Sequence, residues 1–176
     1  SKSPAIFDSM KLKAINAKYV AALTEEQYAE IAVPYIKEAV KRDIADMALL
    51  CRVLKPRTEI FTDIAEQIDF IDELPEYDLE MYRHKKMKTS PETALEALQK
   101  LLPVLENLET WTADSIHAAV FALIAELEVK NGWMLWPLRT AVSGKQCTPG
   151  GGTELCAILG KEETLRRIRI GIERLS

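Results

Sequence analysis

The sequence predicts an all-α protein. Three observations carry that expectation. Apolar residues recur at three- and four-residue intervals in one segment after another, Ser and Thr stand at the starts of several such segments, and no stretch alternates apolar and polar residues for long enough to make a strand. At 176 residues, 48% hydrophobic and 28% charged, the chain is ordinary for a soluble globular protein and can bury a core, as one domain or two small ones.

Ile6, Phe7, Met10, Leu12, Ile15 and Tyr19 place a first amphipathic helix, running to about Ala22. Thr24 caps a second, with Gln27 at the reciprocal position and Glu25 and Glu26 in the first turn, where the helix dipole favours acids. Tyr28, Ile31, Tyr35 and Ile36 form its apolar face, and Pro34 predicts a kink or an early stop. Asp43 is placed to cap a third helix bearing Met47, Leu50, Val53 and Leu54, closed by Lys55-Pro56. A fourth is expected from about Thr58 to Leu74 on a stripe of Ile60, Ile64, Ile68 and Ile71, ended by Pro75.

Residues 76–89 hold Tyr77, Tyr82, Arg83, His84, Lys85, Lys86 and Lys88 without strong apolar order and read as a partly helical connector. Ser90-Pro91-Glu92 is a clean restart, a capping Ser with Pro at the first helical position, and Leu95, Leu98, Leu102 and Leu105 follow. Thr112 with Ser115 opens a helix through Ile116, Val120, Leu123, Ile124 and Leu127, which Asn131-Gly132 is expected to stop. Trp133 to Val142 reads as a short helix with Pro137 near its start, and Lys145 to Gly152 as a permissive loop ending in three glycines. Thr153 begins a short apolar helix broken by Gly160. Lys161 to Leu175 is a terminal helix with Leu165, Ile168, Ile172 and Leu175 inward and Arg166, Arg167, Arg169 and Arg174 largely outward.

Several function classes fall away. Cys51, Cys147 and Cys156 are too few and too scattered for a disulfide scaffold, and no apolar run is long enough to cross a membrane. The N-terminus has no signal-peptide pattern, which favours a cytoplasmic setting. No HExxH or CxxC offers a metal site, no Cys has an evident base, and the run Thr148 to Thr153 is not a phosphate loop, lacking both GxxxxGK[ST] and a preceding strand. Asp63, Glu66 and Glu73 read as a solvated acidic face.

Charge is uneven. Between Glu59 and Tyr82 stand nine acids and no Lys or Arg, whereas residues 131–176 carry seven bases and four acids on a chain of net charge −4. A basic C-terminal third on an acidic body allows a local anion-binding face. Arg139, with Thr148 and Pro149 just beyond its helix, is placed to present guanidinium, hydroxyl and backbone groups together, as recognition of unpaired RNA bases requires. It also reads as a helix C-terminal cation. Trp133 and Trp136 read as core or as stacking platform, and Arg166 and Arg167 as RNA contacts or as a solvated helix face. A helical protein-interaction module without RNA binding is the alternative function.

The order of local motifs adds to this. Ile6-Phe7-Asp8-Ser9-Met10-Lys11-Leu12, followed by Ile15-Asn16 and Tyr19-Val20, resembles the segment that opens the C-terminal half of bacterial glutamyl-tRNA synthetases. Pro137-Leu138-Arg139-Thr140-Ala141-Val142-Ser143-Gly144, Thr148-Pro149-Gly150 and Leu159-Gly160-Lys161-Glu162-Glu163 with Leu165-Arg166-Arg167 resemble later signatures of the same family, in order and across essentially the whole chain. The resemblance implies a class I aminoacyl-tRNA synthetase without its catalytic half, since none of the family's ATP-site motifs is present. Ser1-Lys2-Ser3 reads as an artificial start.

By the resemblance, residues 1–72 form a stem-side helical subdomain and 73–176 a second one at the anticodon loop, together a helical cage around the anticodon. The piece binds tRNA without aminoacylating it and needs no cofactor or metal. The parent, with its catalytic domain in cis, would charge the glutamate tRNA using ATP and Mg²⁺, and some relatives also charge the glutamine tRNA. Arg139 would bond an anticodon base or its flanking phosphate, and Thr148 with Pro149 would shape the pocket for the first anticodon base. Gly150, Gly151 and Gly152 stand where many relatives carry an apolar residue against that base, so its readout is expected to be weaker or differently shaped. Where some relatives read the third base with an arginine of the third helix, this chain has Ala48 or Leu49, with Arg52 a turn away and Arg57 further along.

Overall fold

A computed structural model describes residues 4–176, with side chains from residue 11 onward; the Ser1-Lys2-Ser3 start and the side chains of Ile6, Phe7 and Met10 fall outside the described residues. Among the described residues there are nine α-helices and no sheet: α1 (Pro4–Ala22), α2 (Glu25–Ala39), α3 (Met47–Leu54), α4 (Ile64–Asp72), α5 (Pro91–Glu106), α6 (Ala113–Leu127), α7 (Asn131–Ser143), α8 (Gly152–Leu159) and α9 (Lys161–Leu175).

The starts of α2, α5 and α6 follow from their caps. Thr24 Oγ1 accepts from the Gln27 N–H while Gln27 Oε1 accepts from the Thr24 N–H, and Ser90 with Thr93 and Thr112 with Ser115 repeat the arrangement. Each such cap contributes about 1 kcal/mol to its helix. Helix α2 packs on α3 and α4, α5 on α7 and α9, and α8 on α6 and α7, with α3 meeting α8 between the two groups. The buried side chains form one continuous core, from Tyr28, Ile36, Leu50 and Ile68 to Leu98, Leu138, Ile158 and Ile168, all fully buried. A Leu- or Ile-sized side chain so buried contributes roughly 1.5–3 kcal/mol.

Four expectations differ from the structure. Pro34 neither stops nor shortens α2, because the carbonyl it leaves unbonded belongs to Glu30 on the exposed face, where water can satisfy it. Helix α3 is capped by Asp46, whose Oδ1 accepts from the Leu49 N–H at 3.0 Å, not by Asp43. The fourth helix is α-helical only over α4. Short 3₁₀ turns occupy Lys55–Arg57 and Phe61–Asp63, separated by Thr58, whose hydroxyl donates to the Leu54 carbonyl at 2.8 Å and meets the Tyr28 hydroxyl at 2.6 Å. Asn131-Gly132 opens α7 instead of ending α6. The stop is Glu128, in the left-handed region at φ 55°, with the Val129 N–H reaching back to the Ile124 carbonyl.

A fifth difference concerns Arg167. It does not face outward: its side chain is fully buried, donating from Nε to Glu163 (2.7 Å), from Nη1 to the Val142 carbonyl (2.7 Å) and from Nη2 to the Ile71 carbonyl (3.2 Å). One side chain thereby joins the ends of α4 and α7 to α9. Burial by itself would raise the Glu163 carboxyl, but hydrogen bonds from Arg166, Arg167 and Arg42 outweigh it and hold the pKa at about 2. Because that value lies below the unfolded one, the stabilisation is complete above about pH 4.5 and is lost as pH falls toward 2. With solvent screening of the partly exposed carboxyl, its size is on the order of 1–2 kcal/mol. Acid titration of the thermal midpoint should show a fall across that window that Glu163→Gln largely removes. Equal acid sensitivity of the two proteins would place the effect elsewhere.

Candidate nucleic-acid interface

The loop between α7 and α8 is shaped by its own sequence. The Thr148 hydroxyl, buried, donates to the Gly150 carbonyl at 2.8 Å, and Pro149 is buried beside it. Gly150 then turns at φ 81° against Val53 of α3, whose Cγ1 would lie 3.2 Å from any added Cβ. Only glycine combines that backbone with that approach. Gly151, exposed, donates its N–H to Glu154 Oε1 at 2.9 Å and starts α8.

Two guanidiniums hold the loop from either side. Arg139, half-buried on α7, donates from Nη2 to the Gln146 carbonyl, and its guanidinium lies 4.7 Å from the centre of the Trp136 ring. Arg57, exposed after α3, donates from Nη1 to the Thr148 carbonyl at 2.7 Å. Burial pulls the Arg139 pKa below the ordinary value, and the Arg57 cation adds to this. The site is thus a pair of mutually repelling cations. Among the described residues, Arg52, Arg57 and Arg139 have no carboxylate within 4.0 Å, whereas Arg42, Arg83, Arg166, Arg167, Arg169 and Lys145 all do. An uncompensated, pre-positioned guanidinium pair favours an anion with a planar partner.

Most of the sequence-predicted site residues therefore meet at one place: Arg57, Arg139, Thr148, Pro149, Gly150 and Gly151. Arg52 lies across an open cleft lined also by Leu49, His117, Phe121 and Gly151, where the His117 and Phe121 rings stack at 4.1 Å. The Thr148 hydroxyl builds the loop instead of presenting its proton to a base. Arg166 and Arg167 do not reach this face. Arg166 is exposed and doubly bonded to Glu163, whereas Arg167 is the buried anchor described above, so the structure corrects the outward placement of Arg167. Sequence reading missed the setting of Trp136. Its Nε1 donates to the Met81 carbonyl, with Arg139 over the ring and His84 edge-on at 4.3 Å. The three-residue Trp136-to-Arg139 spacing on α7 was the available signal. Among the described residues no three His, Cys, Asp or Glu side chains gather as metal ligands, and no helix is long and apolar enough to cross a membrane.

Residues 20–172 match the family model described as an anticodon binding domain. The chain belongs to the anticodon binding domain family. It is 52% identical over 175 residues to a glutamate-tRNA ligase of Clostridium tetani and 49% identical to one of Clostridium acetobutylicum, alignments covering 99% of this chain and 36% of each ligase. The chain thus spans about a third of the length of these relatives. A crystal structure of a glutamate tRNA ligase from Elizabethkingia meningosepticum, in complex with its amino acid, superposes with a TM-score of 0.77 at 26% identity over 93% of this chain and 32% of that one. A glutamate-tRNA synthetase from Elizabethkingia anophelis, at 22% identity and TM-score 0.70, shares the fold.

Proposed function

We propose that this chain binds the anticodon loop of tRNA through the loop 145–151, as the anticodon-reading part of a glutamate-tRNA ligase. The observation that carries the reading is the uncompensated pair Arg57 and Arg139, each fixed by a loop carbonyl and one of them stacked on Trp136. Unpaired bases are held by stacking, guanidinium contacts and edge hydrogen bonds, with phosphates taking the remaining cations. In this reading Arg139 bonds a base or its phosphate, the side-chain-free turn at Gly150 and Gly151 lets the base approach the loop closely, and Arg52 stands across the cleft for a further base.

The parent would attach glutamate to its tRNA with ATP and Mg²⁺ supplied at a catalytic domain in cis, in the cytoplasm. Residues 1–72 and 73–176 are the proposed stem-side and loop-side parts of the cage. A protein-interaction module has one observation in its favour, the row Leu12, Ile15 and Tyr19 along α1, each more than half exposed. That row does not account for the guanidinium pair.

Titration of the protein with the glutamate tRNA, the glutamine tRNA and an anticodon-swapped glutamate tRNA at low salt tests the reading. Tighter binding of the cognate anticodon is expected. Equal binding of the cognate and swapped molecules contradicts base reading, and no binding of any contradicts RNA recognition by this chain.

A further inference from the structure

The connector between α4 and α5 contains a feature that anticodon reading leaves unused. His84 and Thr89 exchange both backbone hydrogen bonds at 3.2 Å, and Lys88 N–H closes on the Lys85 carbonyl, so residues 85–88 form a tight turn on a two-residue ladder. The His84 Nδ1 accepts from the Met87 N–H, and the Thr89 hydroxyl donates to the Tyr82 carbonyl at 2.7 Å. Met87 seats its sulfur against α7 where Gly132 has no side chain; a Cβ there would lie 2.2 Å from Sδ. The turn is held at its base and along one side.

Its tip is three lysines. Lys85, Lys86 and Lys88 are exposed, and among the described residues none has a carboxylate within 4.0 Å. Arg83, just before them, is neutralised by Glu80 at 2.8 Å. On a chain of net charge −4 this concentration of free cations is local. Lys88 moreover adopts φ 56°, in the left-handed region, so a lysine stands where glycine would be better tolerated. The turn is continuous with the loop site: the His84 ring at its base packs on Trp136, and Arg139 stacks on the same indole.

We infer that the Lys85–Lys88 turn is a second RNA contact, a sequence-independent clamp on the phosphate backbone of the strand whose bases meet Arg139. The inference rests on the RNA-binding reading above and gives that site its backbone partner. Ammonium groups without planar neighbours suit phosphates as point charges and read no base, whereas the stacked Arg139 guanidinium suits a base edge. The backbone of one strand is the occupant that continuity with the Arg139 site favours.

The test compares the unmodified protein with a Lys85→Ala, Lys86→Ala, Lys88→Ala triple variant, titrating cognate and anticodon-swapped stem-loops over a series of salt concentrations. The clamp predicts equal losses of affinity for both RNAs, retained preference between them, and a salt dependence shallower by roughly 2 in log–log slope. Lys88→Gly separates charge from structure: it should raise the thermal midpoint by relieving the left-handed backbone while weakening RNA binding. RNA binding with an unchanged slope in the triple variant overturns the clamp and leaves anticodon reading standing. So does transfer of the salt-sensitive binding to phosphatidylserine vesicles with RNA binding unaffected. Absence of RNA binding by the unmodified protein overturns both readings.

Discussion

Arg167→Met should unfold this protein far more readily than any change to its neighbour Arg166. The buried guanidinium satisfies the carbonyls of Val142 and Ile71 and one oxygen of Glu163. Methionine fills the volume but leaves two buried acceptors unpaired and Glu163 short of a partner. Removing one member of a buried ion pair costs about 3–5 kcal/mol, and at this chain length that lowers the thermal midpoint by roughly 10 °C. Arg166→Ala breaks an exposed pair with the same Glu163 and should cost less than about 1 kcal/mol. Thermal or urea denaturation of the two variants side by side decides the matter. Equal costs would mean that Arg167 does not anchor α9 to α4 and α7.

The second large effect is on RNA binding. Arg139→Ala should weaken binding of the cognate anticodon loop by about 1–3 kcal/mol, roughly five- to 150-fold, and erase the preference over a swapped anticodon. The variant also loses the Gln146 tether, so Arg139→Lys is the informative companion. It keeps the charge but has neither the planar fork nor the stack on Trp136, and should restore some affinity without restoring discrimination. Recovery of discrimination by lysine would show that charge alone, and not guanidinium geometry, acts at this position.

The legible parts of the fold are those written in local chemistry. The pairs Thr24 with Gln27, Thr112 with Ser115, and Ser90 ahead of Pro91 mark helix starts because their hydrogen bonds close within four residues. Boundaries decided by distant partners were not legible. Thr58 interrupts its helix by meeting Tyr28, thirty residues away, and Gly132, read as a stop, lies inside α7 beside Met87 from the distant connector. The loop site was readable in composition, since Arg139, Thr148 and Pro149 stand close in sequence, whereas the Arg57 contact spans ninety-one residues. Arg167 was misplaced because charge argues for the outer face of a helix. The countersignal was Glu163, one turn before it on the same face, placed to pair with an arginine turned inward.

The central claim is that the loop between α7 and α8, gripped by Arg57 and Arg139, is where RNA meets this chain. Titration of isotope-labelled protein with the anticodon stem-loop, followed by nuclear magnetic resonance, tests it most directly. The account predicts that the Arg139 Nε–H, the Trp136 indole N–H and the amides of Gly150 and Gly151 shift first and furthest, with Arg167 unmoved. Shifts confined to α9 or to the Leu12–Tyr19 face of α1, with the loop silent, would contradict it.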